Sequence, residues 1–387
     1  MKNDIGKVET RWFTLAPKGE TFRMRKGEVP GPVVQAYEIY GQLNQAKDNA
    51  ILLFHAWTGS QHAAGHNADV PGVGKLWTEE CHIGWWDDFV GPGKALDTER
   101  FCVICANYIG GCYGSTGPSS ISPLTNKPFG SSFPHITFAD VVDAQMKLVD
   151  HLGILKLHAV VGGSIGGMMC LSLATRYPDR VGIVIPIASG MAVTSLQRIQ
   201  TFEQIYAIEY DPNFKGGDYY DGPHPDRTLA LARMISHKNF ISLEMMRHRA
   251  RTEIASSLQK LPWYHLTNPL ESYMLYQGNK FVKRFDANSY LRIADAWQQF
   301  NLLEEAGLND VDELFVRCRG QQYLVFTINS DVCFWPEEQE ELVSVLKQAS
   351  VENMRVTVHS EKGHDSFLLE PALYTPHLAY VLEGKTD

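Results

Sequence analysis

The chain has 387 residues, 44% of them hydrophobic and 20% charged, with a formal net charge of −9; this is the profile of a globular protein larger than one ordinary domain. The acidic balance, with no basic block to offset it, argues against a general nucleic-acid surface. The longest apolar stretch, 181–193, is too short to cross a bilayer and is broken by Pro186 and Gly190, and the first residues lack the apolar core of a secretion signal, so a cytoplasmic protein that touches no membrane is expected.

Residues 1–33 show little periodicity and read as short edge strands or an arm, followed by strand-like 33–40 and a compact apolar run at 49–54 suited to a buried strand. That run ends in His55-Ala56-Trp57-Thr58-Gly59-Ser60. A Gly-containing turn at such a place can aim a backbone N–H at an oxyanion, with Trp57 as donor, or can be a plain strand end. His62 and His66, four apart, could share a helix face, but no third ligand is evident; an exposed pair and no metal site are expected. The aromatic, Gly-rich stretch 84–93 reads equally as a packed surface loop or a pocket wall.

A second buried strand is expected at 101–107. It holds Cys102 and Cys105, whose C-x-x-C spacing would send the two thiols to opposite faces of a strand, against a redox or zinc role. All seven cysteines read as reduced thiols. The segment 110–120 is too rich in Gly and Ser for regular structure, and without the Lys of a phosphate loop it reads as a loop shaping the mouth of a site. Thr137 and Asp140 form a capping box for a helix through Leu152.

The apolar run 157–161 then leads into Gly162-Gly163-Ser164-Ile165-Gly166, a G-x-S-x-G pattern, and an apolar segment to Tyr177 follows it. Strand, sharp turn and helix in that order form a nucleophile elbow. A serine hydroxyl is a weak nucleophile until a tight turn holds it clear of its neighbours and a histidine can take its proton. The turn opens a helix, so the Ile165 N–H is the second donor expected to face an oxyanion. Another buried strand, 182–188, continues the strand and helix alternation, which argues for a mostly parallel, doubly wound α/β sheet.

From about residue 190 longer helical stretches replace the short strands, with helices expected at 227–235, 243–251 and 289–300. Residues 1–189 and 303–387 are therefore read as the core and 190–302 as an inserted helical lid over Ser164. The sheet pattern resumes at 322–329 and runs into Asp331, an acid at the carboxyl end of a strand downstream of the serine. After a last strand at 354–358, His364 stands where the general base of a Ser, Asp, His order belongs.

Taken with 84–88, 110–120, 162–169, Phe285 to Tyr290 and Gly363-His364-Asp365, the chain from Val33 onward resembles the homoserine O-acetyltransferase family of α/β-hydrolase-fold acyltransferases. The resemblance implies Ser164 as nucleophile, with Asp331 and His364 as its partners. It implies a lid that forms a homodimer, and a ping-pong transfer from acyl-CoA to an amino-acid hydroxyl in a route towards methionine. No bound cofactor or metal is implied, since acyl-CoA enters as a co-substrate. Tyr219 and Asp365 are the companion acceptor-binding positions, Asp365 for the amino group. The family's arginine for the acceptor carboxylate falls at Ile205 here, with Arg198 two turns earlier on nearly the same helix face, which leaves the acceptor open between homoserine and a related small alcohol. A serine esterase or thioesterase would use the same triad, and a non-catalytic scaffold is the remaining rival.

Overall fold

Continuous apolar runs, not alternating ones, mark strands that are covered on both sides. All five residues of Ala50–Phe54 and all five of Cys102–Ala106 are buried in the computed structural model, which describes residues 4–252 and 261–384. The main sheet has eight strands: β1 (Arg11–Ala16), β2 (Val33–Tyr40), β3 (Ala50–Phe54), β4 (Cys102–Ala106), β5 (Leu157–Gly163), β6 (Val181–Ile187), β7 (Gln322–Ile328) and β8 (Glu352–Val358). Their spatial order is β1-β2-β4-β3-β5-β6-β7-β8. β2 pairs antiparallel with β1 and β4, and every other neighbouring pair is parallel. This is the α/β-hydrolase arrangement.

Side-chain alternation divides the core between the two faces of the sheet. Leu52 and Phe54 lie in one cluster with α1 (Phe138–His151), α2 (Ile165–Arg176) and, past the helices named next, α10. Ile51 and Leu53 lie in the other with the last helix. Between β6 and β7 come α3 (Ser195–Glu209), α4 (Asp226–Phe240), α5 (Leu243–Thr252), α6 (Pro269–Phe281), α7 (Ala287–Gln298), α8 (Leu302–Ala306) and α9 (Val311–Val316). After β7 come α10 (Pro336–Gln348), α11 (Ser366–Leu369) and α12 (Pro371–Leu382). The capping box of α1 is formed: the Thr137 hydroxyl accepts from Asp140 N at 3.1 Å and Thr137 N donates to the Asp140 carboxylate at 2.9 Å.

Cys102 and Cys105 belong to the two opposite clusters, and burial pushes the Cys102 thiol up to about 11. The histidine pair differs from expectation. His62 lies in irregular chain, is 1% exposed and has both ring nitrogens engaged, with the Glu38 carboxylate and the His82 carbonyl, whereas His66 is exposed. A buried carboxylate on β2 captures the first histidine, which sequence spacing does not reveal. The loop at 110–120 differs in part. The Ser115 and Thr116 hydroxyls accept from Ala36 N and Val34 N of β2, so part of this segment is fastened to the sheet, while Tyr113 lines a cavity beside the rim.

Register sets the place of the site. Phe54 pairs with Gly162, Gly163 with Ile187, Ile187 with Phe326, and Ile328 with Val358, so the carboxyl ends of β3, β5, β7 and β8 share one rim. Ligands of parallel α/β sheets bind outside that rim. Helix α4 packs against α3, α6 and the turn at Gly363–Asp365, which brings the helical segment over the same end.

Candidate active site

Ser164 sits between β5 and α2 with φ 60° and ψ −132°, a conformation a non-glycine residue holds only under constraint. The flanking glycines serve close approach: a Cβ on Gly162 would lie 2.5 Å from the Gly166 carbonyl, and one on Gly166 would lie 2.5 Å from Phe54 O. The strained backbone angle belongs to the serine itself. Ile165 is the first residue of α2, so its N–H has no acceptor within the helix.

Asp331 lies just past β7, and its carboxylate is oriented from both sides. Oδ1 accepts from Cys333 N at 2.7 Å and Phe334 N at 3.0 Å, while Oδ2 accepts from His364 Nδ1 at 2.6 Å. The imidazole stacks on Phe334 and meets the edge of Phe367. With the proton of the neutral ring held on Nδ1 by Asp331, Nε2 carries the lone pair. That Nε2 is buried and makes no hydrogen bond within the protein, so the Ser164–His364 bond is not closed in this state; such bonds tighten with substrate. Burial opposes the imidazolium, yet Asp331, Asp365 and Glu338 outweigh it and raise the His364 pKa above 6.5.

Ser164 and His364 face a common cavity of about 170 Å³. Trp57 lines it too, its indole stacked on Tyr290 at 4.6 Å and edge-on to Trp297 at 5.3 Å. The turn after β3 is fixed from several directions: Tyr108 OH donates to the His55 carbonyl, Gly59 N to Ala56 O, and Trp85 Nε1 to Ser60 O. Stretch 84–93 is both things it was read as. Trp86 is packed inside, its Nε1 donating to Phe367 O, while Trp85 walls the cavity.

Two opposite charges complete the walls. Asp365, next to His364, is half-buried, and burial raises its carboxyl pKa against the pull of His364 and Arg233. Arg233 of α4 has its guanidinium 5.4 Å from the Phe240 ring and 5.2 Å from that of Phe281. Burial and the neighbouring Arg284 lower its pKa, and Asp365 supports its charge. Sequence reading missed Arg233, although a signal existed: it shares the buried face of α4 with Leu229, Ser236 and His237, where a charge is out of place.

Of the acceptor positions taken from the family pattern, Asp365 is on the cavity wall, and the others lie elsewhere. Ile205 is half-buried on α3, packs against the main core cluster and is not on the cavity wall. Arg198 is tied to the Gln298 carbonyl at 2.6 Å. Tyr219 is fully buried and is not on the cavity wall; its hydroxyl donates to Asp286 at 2.6 Å and accepts from Asn288 N, so its proton is already committed. The cations on the cavity wall are Arg233 of α4 and Arg284 from the link between α6 and α7, and α3 supplies none of the lining. Among the described residues no cluster of His, Cys, Asp and Glu could hold a metal, and no helix is long and apolar enough to cross a membrane.

Comparison with known proteins agrees with the geometry. The family model described as the alpha/beta hydrolase fold matches residues 49–371. The chain is 42% identical to a homoserine O-acetyltransferase of Solidesulfovibrio magneticus, covering 98% of this chain and 93% of that one. It is 39% identical to that of Carboxydothermus hydrogenoformans, covering 99% and 97%. Among solved structures it is similar to the homoserine O-acetyltransferase from Bacillus anthracis, with TM-score 0.84, 26% identity and coverage of 98% and 99%. It is equally similar to esterase E22, with TM-score 0.85, 26% identity and coverage of 97% and 100%. An elbow serine, a carboxylate-bound histidine and a full-length likeness above one third identity converge: the chain belongs to the homoserine O-acetyltransferase family of the alpha/beta-hydrolase fold.

Proposed function

We propose that the protein is an O-acyltransferase that carries an acyl group, acetyl in the first instance, from acyl-CoA through Ser164 to the hydroxyl of homoserine. The observation that carries this reading is the pairing of Arg233 and Asp365 on the wall of the cavity that Ser164 and His364 share. A cation and an anion on one small wall suit the carboxylate and the ammonium of an α-amino acid, and would put its side-chain hydroxyl at the serine.

In the first half-reaction His364 Nε2 takes the Ser164 proton as Oγ bonds to the thioester carbonyl carbon. The oxyanion is met by the N–H groups of Trp57 and Ile165. The C–S bond then breaks, and the proton on His364 passes to the departing thiolate, releasing free CoA. In the second, His364 takes the homoserine hydroxyl proton, that oxygen bonds to the acyl carbon, the bond to Ser164 breaks, and the proton returns to Ser164. Side chains and two co-substrates account for every atom, with CoA serving only as carrier.

Hydrolysis by the same residues is the second reading, favoured by the likeness to esterase E22. Transfer is supported by the apolar lining that Trp57, Trp85, Trp297 and Phe240 give the cavity, because a bound acceptor seated against it would displace water from the acyl-enzyme. Incubation with acetyl-CoA and a panel of hydroxylated amino acids, following free thiol and O-acyl product, separates the two. Thiol release at one rate whatever the alcohol would end the transferase reading.

A second copy of the chain is the proposed partner. Leu196, Ile199, Phe202, Tyr206 and Tyr210 form an exposed apolar stripe along α3, and light scattering would show the dimer. Seven free cysteines, six of them buried, suit the reducing cytoplasm.

A further inference from the structure

Beside the cavity at Ser164 lies a second one of about 210 Å³, and the two share the walls Thr58, Gly59, Trp85 and Arg284. The outer cavity reaches the surface past Ile83, which is 54% exposed. Three of the shared residues belong to loops whose backbone is already fixed. Two large side chains stand between the spaces, the Trp85 indole, whose Nε1 donates to Ser60 O, and the guanidinium of Arg284 from the link between α6 and α7.

Arg284 is held in that position. Nη1 donates to Thr58 O at 3.2 Å and to Tyr113 OH at 3.1 Å, Nε faces Glu80 at 4.0 Å, and the guanidinium lies 5.2 Å from the Phe281 ring. Tyr113 OH in turn donates to the backbone carbonyl of residue 284, which survives any side-chain change. The charge is thus committed to neighbours in the protein, and the side chain acts on the cavity as a wall. Thr58, which it pins, directly follows Trp57, so the wall stands beside the place where the acyl carbonyl is held.

On the transferase reading above, we infer that Arg284 restricts the acyl group to short chains by closing the serine cavity off from its neighbour. An acetyl group fits in front of the guanidinium. Each further methylene must displace a side chain that is anchored on three sides, and overpacking a fixed wall is unfavourable. Removing the side chain joins the two cavities and gives a longer acyl tail a path past Ser60 and Ile83.

The test is the ratio of kcat/KM for hexanoyl over acetyl donors, because loss of a cation near the oxyanion slows all chain lengths alike and cancels in the ratio. Wild-type protein, Arg284→Ala, Arg284→Lys and the double variant Arg284→Ala with Ile83→Trp would be assayed with acetyl-, butyryl-, hexanoyl- and succinyl-CoA and homoserine. The same series with p-nitrophenyl esters reports acylation of Ser164 without any acceptor, so failure of the transferase reading is seen separately. Wild type should favour acetyl over hexanoyl by at least about a hundredfold, since one methylene that a pocket cannot take costs about tenfold or more and hexanoyl carries several beyond acetyl. Arg284→Ala should raise the hexanoyl ratio at least tenfold, with Arg284→Lys lying between and Ile83→Trp restoring the preference for acetyl. The inference is overturned if wild type accepts hexanoyl esters as well as acetyl, which is read without any variant, or if Arg284→Ala leaves the ratio unchanged. It is also overturned if the variant loses only succinyl transfer, which would make Arg284 a binder of acyl carboxylates.

Discussion

His364 Nδ1 lies 2.6 Å from Asp331 Oδ2, and the other carboxylate oxygen is spoken for by two backbone N–H groups, so neither the acid nor the imidazole can turn without losing a buried hydrogen bond. The proposed mechanism uses His364 in its neutral form, and its pKa is raised above 6.5. kcat/KM should therefore fall as pH drops through that raised value and level off above it. Asp331→Asn removes the charge that raises it, so the acid limb should move to lower pH. The same change presents the wrong tautomer, and kcat should fall by about 10³–10⁴-fold. A variant with unchanged kcat would show that Asp331 does not orient the base.

Glu338 of α10 is a second carboxyl behind the triad. Burial, helped by Asp331, pushes it up to about 7, although Trp335 N and Gln197 Nε2 both donate to it. A carboxyl whose folded pKa lies above its unfolded value of 4.5 contributes stability that is complete below 4.5 and is lost as pH rises to about 7. Glu338→Gln keeps an acceptor for Trp335 N but cannot ionise. Denaturant unfolding should show the variant gaining on wild type across that interval and running parallel to it above. Because the Glu338 charge also helps to raise the His364 pKa, the acid limb of kcat/KM should move down in the variant.

The acceptor is where Arg233 and Ile205 can be told apart. Arg233→Ala should cost acceptor binding about 1.5–3 kcal/mol, the range for a hydrogen bond to a charged group. That is roughly ten- to a hundredfold in homoserine KM, while the rate of Ser164 acylation by the donor stays close to wild type. Ile205→Arg should leave homoserine KM unchanged, since α3 turns that position into the core and not towards the cavity. Steady-state kinetics with both substrates varied would decide, and a drop in homoserine KM in Ile205→Arg would return the acceptor site to α3.

What could be read before the structure follows the range of the forces involved. The runs at 50–54 and 157–163 declare buried strands locally, and the positions of Ser164, Asp331 and His364 at the ends of strands follow from strand count, so the core strands and the placing of these three residues were legible. The helices expected at 227–235, 243–251 and 289–300 were legible too, but which of them lies over the rim was not. The family resemblance placed the acceptor's cation at position 205 on α3, where this chain has Ile, but α4 packs against the Gly363–Asp365 turn and carries Arg233 with it. Partners distant in sequence were equally hidden: Glu38 and His62 read as a strand residue and a loop histidine until β2 brings them to 2.8 Å.

That buried pair anchors the stretch that follows the turn at Trp57. Glu38 is fully enclosed, and each carboxylate oxygen accepts twice: Oε1 from the Thr10 hydroxyl and Asn67 Nδ2, Oε2 from the Tyr40 hydroxyl and His62 Nδ1. Burial works against the ionised carboxyl, but His62 and the hydroxyl donors prevail and hold its pKa below 4.5. A depressed carboxyl contributes stability that is present above its unfolded pKa and lost as pH falls through the folded one. Glu38→Ala leaves four donors, His62 among them, buried without their acceptor, and should cost about 3–5 kcal/mol in denaturant unfolding near neutral pH. Glu38→Gln, which keeps the volume and one acceptor oxygen, should lose less, and its deficit against wild type should shrink as pH falls below 4.5. A deficit that stayed constant through that range would mean the carboxylate's charge plays no part, and that the cluster is held by shape and neutral hydrogen bonds alone.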